Sequence, residues 1–420
     1  MLHTFLLVSF IAFVRSSPSV EEPECYMTLP EVAKYYGFPS EVHLVTTEDD
    51  YILEVHRIPY GRGKQEMSNR PVVFLQHGLF VDGAIWGANL ANQSAAFVFA
   101  DAGFDVWIAN SRGTPPSQKH VGFGPEQKRF WNFTWQEMAT HDLTSSIDYV
   151  LQVTKQENLY YVGHSQGTIV MFAKLSEDPD FASKVRHFYA LAPVATVSHI
   201  GGLYRLFGYR LFYIAEFILD RIPNTPLSLP KFIRRLFGFF CSLPLAADIC
   251  SLDIGFIQGP EKMLNMTRLG LYLCHTPVAT SSKNLLHWVQ ASLLTIFEQS
   301  PPMNMAVKSK KFGKFDYGEK GNMREYAEKK PPLYDVQKIR VPSTVFWSRD
   351  DIFADVQDIR ETLLHSMNDT IQTTYELSHY SHMDFVLAVN ATDDIYRPIV
   401  AQIRKDFVMR NALRIGQKAT

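Results

Sequence analysis

Apolar positions fall into two patterns over the first 195 residues. Residues 42–47 and Tyr51–Ile58 alternate apolar and polar side chains around Glu48-Asp49-Asp50, which predicts a β-hairpin with one buried face. Residues 71–76, 104–109, 159–163 and 187–192 are instead short, nearly continuous apolar runs, as strands covered on both faces require. Residues 143–150 have helical spacing, and the run after Gly167 carries no helix breaker. Strands separated by helices predict an α/β fold: a mostly parallel sheet with helices on both faces. Between about Thr196 and Tyr334 the pattern changes. That stretch is rich in Phe, Leu and Arg, has scattered Pro and lacks buried-strand runs; the sheet pattern resumes at Ser343–Trp347. One domain interrupted by a largely helical insertion accounts for this better than two independent domains.

Composition narrows the class. The chain has 420 residues, 46% hydrophobic and 20% charged, which is globular and long enough for a large core. A net charge of −2 offers no basic stripe for phosphates, so no nucleic-acid partner is expected, and the basic stretch 308–314 reads as a solvated loop. Residues 5–14 form an apolar run too short to cross a bilayer, which needs about 20 residues. It fits the core of a signal peptide spanning 1–16, cleaved near Ser16. No later stretch is long and charge-free enough for a transmembrane span. Asn-x-Ser/Thr sequons at Asn92, Asn132, Asn265, Asn368 and Asn390 add to the case for the secretory pathway, with a lysosomal or extracellular destination. Of four cysteines, Cys241 and Cys250 are close enough to staple one loop, a gain of about 2–3 kcal/mol. Whether Cys25 and Cys274 pair is left open by the sequence.

The chemistry centres on Gly163-His164-Ser165-Gln166-Gly167, lying between an apolar strand and a helical run. A serine on such a sharp turn exposes its Oγ, and side chains two residues either side would collide with neighbouring backbone. A serine hydroxyl needs a base to take its proton and a carboxylate to orient the base. In chain order the acid comes next, and Asp350, Asp351 and Asp355 crowd together just past Ser343–Trp347. The base follows near the C-terminus, where His379 and His382 both qualify; spacing alone selects within neither set. An oxyanion needs backbone N–H donors: Gln166 supplies one, and the turn His77-Gly78-Leu79 the other. These motifs and Asn110-Ser111-Arg112-Gly113 all sit at C-terminal strand ends, so they should face one crevice. This chemistry calls for no cofactor and no metal.

Seven segments together resemble the acid lipases, the family of gastric and lysosomal acid lipase. They are VTTEDDYILEVHRIPYG (45–61), VVFLQHGLF (72–80), FADAGFDVWIANSRG (99–113), FWNFTWQEMATHDL (130–143), YYVGHSQGT (160–168), FYALAPVATV (188–197) and HMDF (382–385). The resemblance covers nearly the whole chain in the family's order. It implies an α/β-hydrolase core (17–195 and 336–420) with a cap and lid insertion (196–335), acting on triacylglycerols or sterol esters at an aggregate or membrane surface. Carried over by residue, it implies Ser165 as nucleophile, Asp351 as acid, His382 as base, and Leu79 and Gln166 as oxyanion donors. The family's cap disulfide falls on Cys241 and Cys250, and Phe237, Phe239 and Phe240 beside it are candidates for lid and lipid contact, or else for the cap's own core. Some features depart from the family pattern. Asp50 replaces a turn glycine, Thr114-Pro115-Pro116 is atypical, and the Asp351–His382 interval is about two residues longer. Residues 292–306 form an extra segment, read as a cap loop or a gene-model error. A soluble-ester carboxylesterase, an acyltransferase and a non-catalytic lipid carrier are the competing readings. The complete Ser, Asp and His set argues against the carrier, and the apolar stretch 236–240 against a soluble-ester enzyme.

Overall fold

The computed structural model describes residues 22–65, 67, 69–201, 214–215, 217–243, 246, 250, 263–296 and 312–418. The expected signal peptide lies outside them, as do 297–306 of the extra segment and all but the end of 308–314.

The described strands are β1 (Glu41–Thr46), β2 (Tyr51–Ile58), β3 (Val72–Gln76), β4 (Asp105–Ile108), β5 (Lys119–His120), β6 (Leu159–His164), β7 (Val185–Leu191), β8 (Pro226–Leu227), β9 (Thr280–Ser281), β10 (Ser343–Trp347) and β11 (Ile371–Glu376). Nine of them form one sheet in the order β1-β2-β4-β3-β6-β7-β10-β11, with β5 paired to β2. From β4 to β11 all neighbours are parallel; β1 and β2 form an antiparallel hairpin at one edge. Every residue of β3, β4, β6 and β10 is buried, which is why these strands read as apolar runs with polar residues only at their ends. The hairpin turn puts Asp50 at φ +67°, a left-handed position that aspartate tolerates.

Alternate side chains of each central strand enter opposite cores. Val73, Leu75, Val106, Ile108, Tyr160 and Val162 pack on one face with helices α1 (Ala95–Asp101) and α7 (Arg397–Lys418). Val72, Phe74, Trp107, Leu159 and Tyr161 pack on the other with α2 (Leu143–Thr154) and α3 (Gln166–Glu177). Each fully buried side chain of this size contributes roughly 1.5–3 kcal/mol, so the strand ends stand on a stiff platform. The Asn110-Ser111-Arg112-Gly113 turn is tied down separately. Buried Arg112 bonds Asp142 (2.7 Å) and, through both terminal nitrogens, Asp49 of the hairpin turn (2.6 and 2.8 Å), with its guanidinium 4.0 Å from the Tyr51 ring.

Between β7 and β10 the described chain is mainly helical, including α4 (Lys231–Cys241), α5 (Leu269–His275) and α6 (Ser282–Ile296), with β8 paired to β9. Residues 292–296 of the extra segment simply continue α6. Helices α4 and α5 touch at Gly238 and Gly270: a Cβ on Gly238 would lie 2.4 Å from Cys274 Sγ and 2.6 Å from Gly270 O. Both disulfides form. Cys241–Cys250 closes a short loop, and Cys25–Cys274 fastens the N-terminal segment to α5.

Candidate active site

Ser165 sits between β6 and α3 at φ +53°, a conformation costly for a residue with a Cβ, and its N–H donates to Leu191 O at 3.1 Å. The flanking glycines are a steric necessity. A Cβ on Gly163 would lie 2.8 Å from Gly167 O, and one on Gly167 would lie 2.5 Å from Gln76 O.

Nε2 of His382 accepts from the Ser165 hydroxyl at 2.7 Å. On its other side, Nδ1–H of His382 donates to Asp351, with the two carboxylate oxygens 2.9 and 3.1 Å away. Asp351 also accepts the N–H groups of Phe353 and Ala354, each at 2.9 Å. Burial works to raise the Asp351 carboxyl. His382 and the two backbone donors outweigh it, and the group lies below the usual carboxylate range. The base is held from behind as well. His164 Nε2–H donates to the His382 carbonyl at 2.9 Å, and burial pushes this imidazole down to about 3, so it stays neutral. Asp384 accepts the Ser381 N–H at 2.7 Å, pinning the loop before His382, and burial lifts its carboxyl to about 6.

The other candidates lie elsewhere. Exposed His379 pairs with Asp350 at 3.2 Å. Asp355 caps a short helix by accepting the Gln357 N–H at 2.7 Å. Among the described residues, the group with metal-ligand chemistry is His199, Asp355 and Asp358. His199 is already bound by Asp358 through both its N–H and Nδ1, and Asp355 is occupied as a cap.

On the opposite side of Ser165, Gly78 comes so close that a Cβ there would stand 3.0 Å from the serine Cβ. Leu79 is half-buried. Phe80 has φ +60°, and its carbonyl accepts Val278 N–H at 2.8 Å. Gln166 is held by its side chain: its oxygen accepts from Asn284 and Trp288 of α6, both at 2.9 Å, and its amide reaches Met138 Sδ at 3.5 Å. Sequence reasoning did not identify Asn284 and Trp288. The only signal was an indole and an amide one helical turn apart in a segment without strand character.

Helix α4 carries its large apolar side chains outward. Phe232, Leu236, Phe237 and Phe240 are 71%, 64%, 55% and 48% exposed, while Arg234, Gly238 and Cys241 face inward. Of the three expected lid phenylalanines, Phe237 and Phe240 are therefore on the surface, and Phe239, on another side of the helix, is half-buried. Asn92, Asn132, Asn368 and Asn390 are exposed; Asn265 is half-buried, with its amide 3.3 Å from Gln93 Oε1. Among the described residues, no helix is long and apolar enough to cross a membrane.

Two family models match the chain: a partial alpha/beta-hydrolase lipase region over residues 29–90 and the alpha/beta hydrolase fold over residues 71–388. Lipase lipl-1 of Caenorhabditis elegans is 39% identical over 400 residues, covering 92% of this chain and 93% of that protein. Gastric triacylglycerol lipase of Bos taurus is 38% identical over 407 residues, covering 96% and 97%. The solved structure of a candidate lipase from Sulfolobus solfataricus has a TM-score of 0.52 at 13% identity, covering 88% of this chain and 95% of that one, a likeness of fold.

Proposed function

The chain belongs to the acid lipase family of α/β hydrolases, and on that premise we propose that it hydrolyses carboxylic esters of lipids, triacylglycerols or sterol esters, through an acyl-enzyme on Ser165. The observation that carries the reading is the unbroken chain of contacts from Ser165 Oγ to His382 at 2.7 Å and on to Asp351 at 2.9 Å.

His382 takes the hydroxyl proton on Nε2 as Oγ bonds to the ester carbonyl carbon, and the carbonyl electrons move onto oxygen. Asp351 keeps the proton of Nδ1 in place and stabilises the imidazolium. The N–H groups of Leu79 and Gln166 receive the oxyanion, each such donor being worth about 3–4 kcal/mol in the transition state. Collapse expels the alcohol, which leaves with the proton from Nε2. Water then repeats the sequence, with His382 as its base, and releases the fatty acid.

Residues 196–335 serve as cap and lid on a core made of 17–195 and 336–420. The outward apolar face of α4 is the surface that meets a lipid aggregate. Every large side chain it buries there lowers the cost of docking by roughly 1.5–3 kcal/mol. Two disulfides and four exposed sequons favour the secretory pathway, ending in the lysosome or outside the cell.

The test is Ser165→Ala assayed on emulsified triacylglycerol, cholesteryl ester and a short soluble ester. All hydrolysis should disappear with the melting temperature unchanged, and retention of about a tenth of the wild-type rate would overturn the assignment. Wild-type activity confined to the soluble ester would favour a carboxylesterase instead, and transfer to an alcohol in preference to water an acyltransferase.

A further inference from the structure

His77 is a buried imidazole that takes no part in the proton transfers above, yet both of its nitrogens are engaged. Nε2 accepts the backbone N–H of Ser111 at 3.0 Å. A ring nitrogen that accepts an N–H carries no proton, so the proton is on Nδ1, which donates to the carbonyl of Gly78 at 2.8 Å. Burial drives the imidazole toward its neutral form, consistent with one donor and one acceptor nitrogen. The ring is thus a strut between two strand-end turns, those following β3 and β4.

The carbonyl it holds is no ordinary one. Gly78 C=O and Leu79 N–H belong to the same peptide unit, and in a trans peptide they point in opposite directions. That unit lies against the nucleophile, since a Cβ on Gly78 would sit 3.0 Å from Ser165 Cβ. It also belongs to an irregular turn, with no strand or helix ladder to fix its plane. A flip of this one peptide would turn the Leu79 N–H away and present a carbonyl dipole to the oxyanion. A neighbouring tie holds the unit two further on, where Phe80 O accepts from Val278. Among the described residues, none but His77 is seen on Gly78 O.

We propose that His77 is a positioning residue for the oxyanion hole, which fixes the Gly78–Leu79 peptide with its N–H toward Ser165 by donating from Nδ1 to Gly78 O. The run Ser111 N–H to His77 to Gly78 C=O also polarises that peptide, strengthening Leu79 as a donor. The inference rests on the acyl-enzyme reading above.

Two substitutions separate the two bonds. His77→Asn sets an amide N–H where Nδ1–H stood and leaves Ser111 without its acceptor. His77→Gln can reach Ser111 with its carbonyl oxygen and leaves Gly78 O without its donor. With a short soluble ester, kcat of the Gln variant should fall about 100-fold with KM within about twofold, because a donor needed only in the transition state is misaligned. The Asn variant should stay within about fivefold of wild type, because its amide N–H still donates to Gly78 O. Inactivation by a phosphonate ester, whose tetrahedral adduct uses the same donors, should slow in parallel for Gln only. Equal kcat in the two variants, or losses that track melting temperature, would reduce His77 to a packing residue and overturn the proposal. Nitrogen-15 histidine spectra of the wild-type protein give a check that needs no variant: a proton on Nε2 of His77 would refute it. A wild-type protein that neither hydrolyses esters nor is labelled by the phosphonate at Ser165 would instead bring down the functional reading itself.

Discussion

Removing the two disulfides one at a time should produce very unequal losses. Cys25–Cys274 spans 249 positions and Cys241–Cys250 spans 9. By chain entropy alone, these loops correspond to about 5.5 and about 2.5 kcal/mol at 25 °C, a difference of about 3 kcal/mol. In the folded state polar contacts also hold the N-terminal segment to the chain around α5, so the bridge is left to act mainly on the unfolded chain. Glu24 accepts from Arg268, just before α5, at 2.9 Å, and His275 Nε2–H donates to the Glu24 carbonyl at 2.9 Å. Both pairs are replaced by serine, so the cost of burying hydroxyls is similar and largely cancels in the comparison. Equilibrium urea unfolding is the assay. The Cys25→Ser/Cys274→Ser protein should have the lower midpoint and also the steeper denaturant dependence, since its unfolded chain is freed to expand. The Cys241→Ser/Cys250→Ser protein should show a smaller fall in midpoint, matching its smaller loss. Equal losses, or the greater loss from the short loop, would refute the reasoning that the long bridge acts on the unfolded chain.

Three further outcomes are expected. Asp351→Asn should lower kcat about 10⁴-fold by giving His382 the wrong tautomer, whereas Asp355→Asn should cost only some stability; comparable losses of kcat would contradict the assignment of the acid. The carboxyl of Asp384, raised to about 6 from an ordinary 3.8, favours the folded state below that range and opposes it increasingly as pH rises through 6. Asp384→Asn should therefore gain up to about 3 kcal/mol relative to wild type at pH 7.5 and little at pH 4, and urea midpoints that shift equally at both values would exclude this. Phe237→Ser with Phe240→Ser should reduce hydrolysis of emulsified long-chain substrate while sparing a short soluble ester; equal loss on both substrates, with a lower melting temperature, would mean the side chains only hold the insertion together.

The parts of the fold that were plain in the sequence are those set by local pattern. β3, β4, β6 and β10 are buried on both faces, so polar residues fall only at their ends and their positions can be read directly. The edge strand β11 could not be read that way: its residues alternate between exposed and half-buried, a weak signal in a polar segment. Gly163 and Gly167 were legible because their requirement is steric and local to one turn. The acid and the base were narrowed by chain order to small sets, and only the resemblance chose Asp351 and His382 within them. Contacts between distant segments left no trace. Gln166 meets Trp288 across 122 positions, and Cys25 finds Cys274 across 249. Such pairs depend on how helices dock, which periodicity does not encode. The side of α4 on which Phe239 falls follows from helical geometry, but only once the helix boundaries are known.

The grip of α6 on Gln166 bears on how freely this scaffold can be re-engineered. Insertions between sheet strands are natural cassettes for exchange, since their entry and exit points are few and the sheet beneath folds around its own cores. Here the cassette reaches back into the platform: Asn284 and Trp288 both end on a side chain at the first turn of α3. A graft lacking those two donors would leave a buried amide oxygen unpartnered beside the reactive serine, at a cost of about 1–3 kcal/mol. Segments swapped between relatives should therefore be cut on the C-terminal side of Trp288, or be chosen to return an amide and an indole to the same two positions.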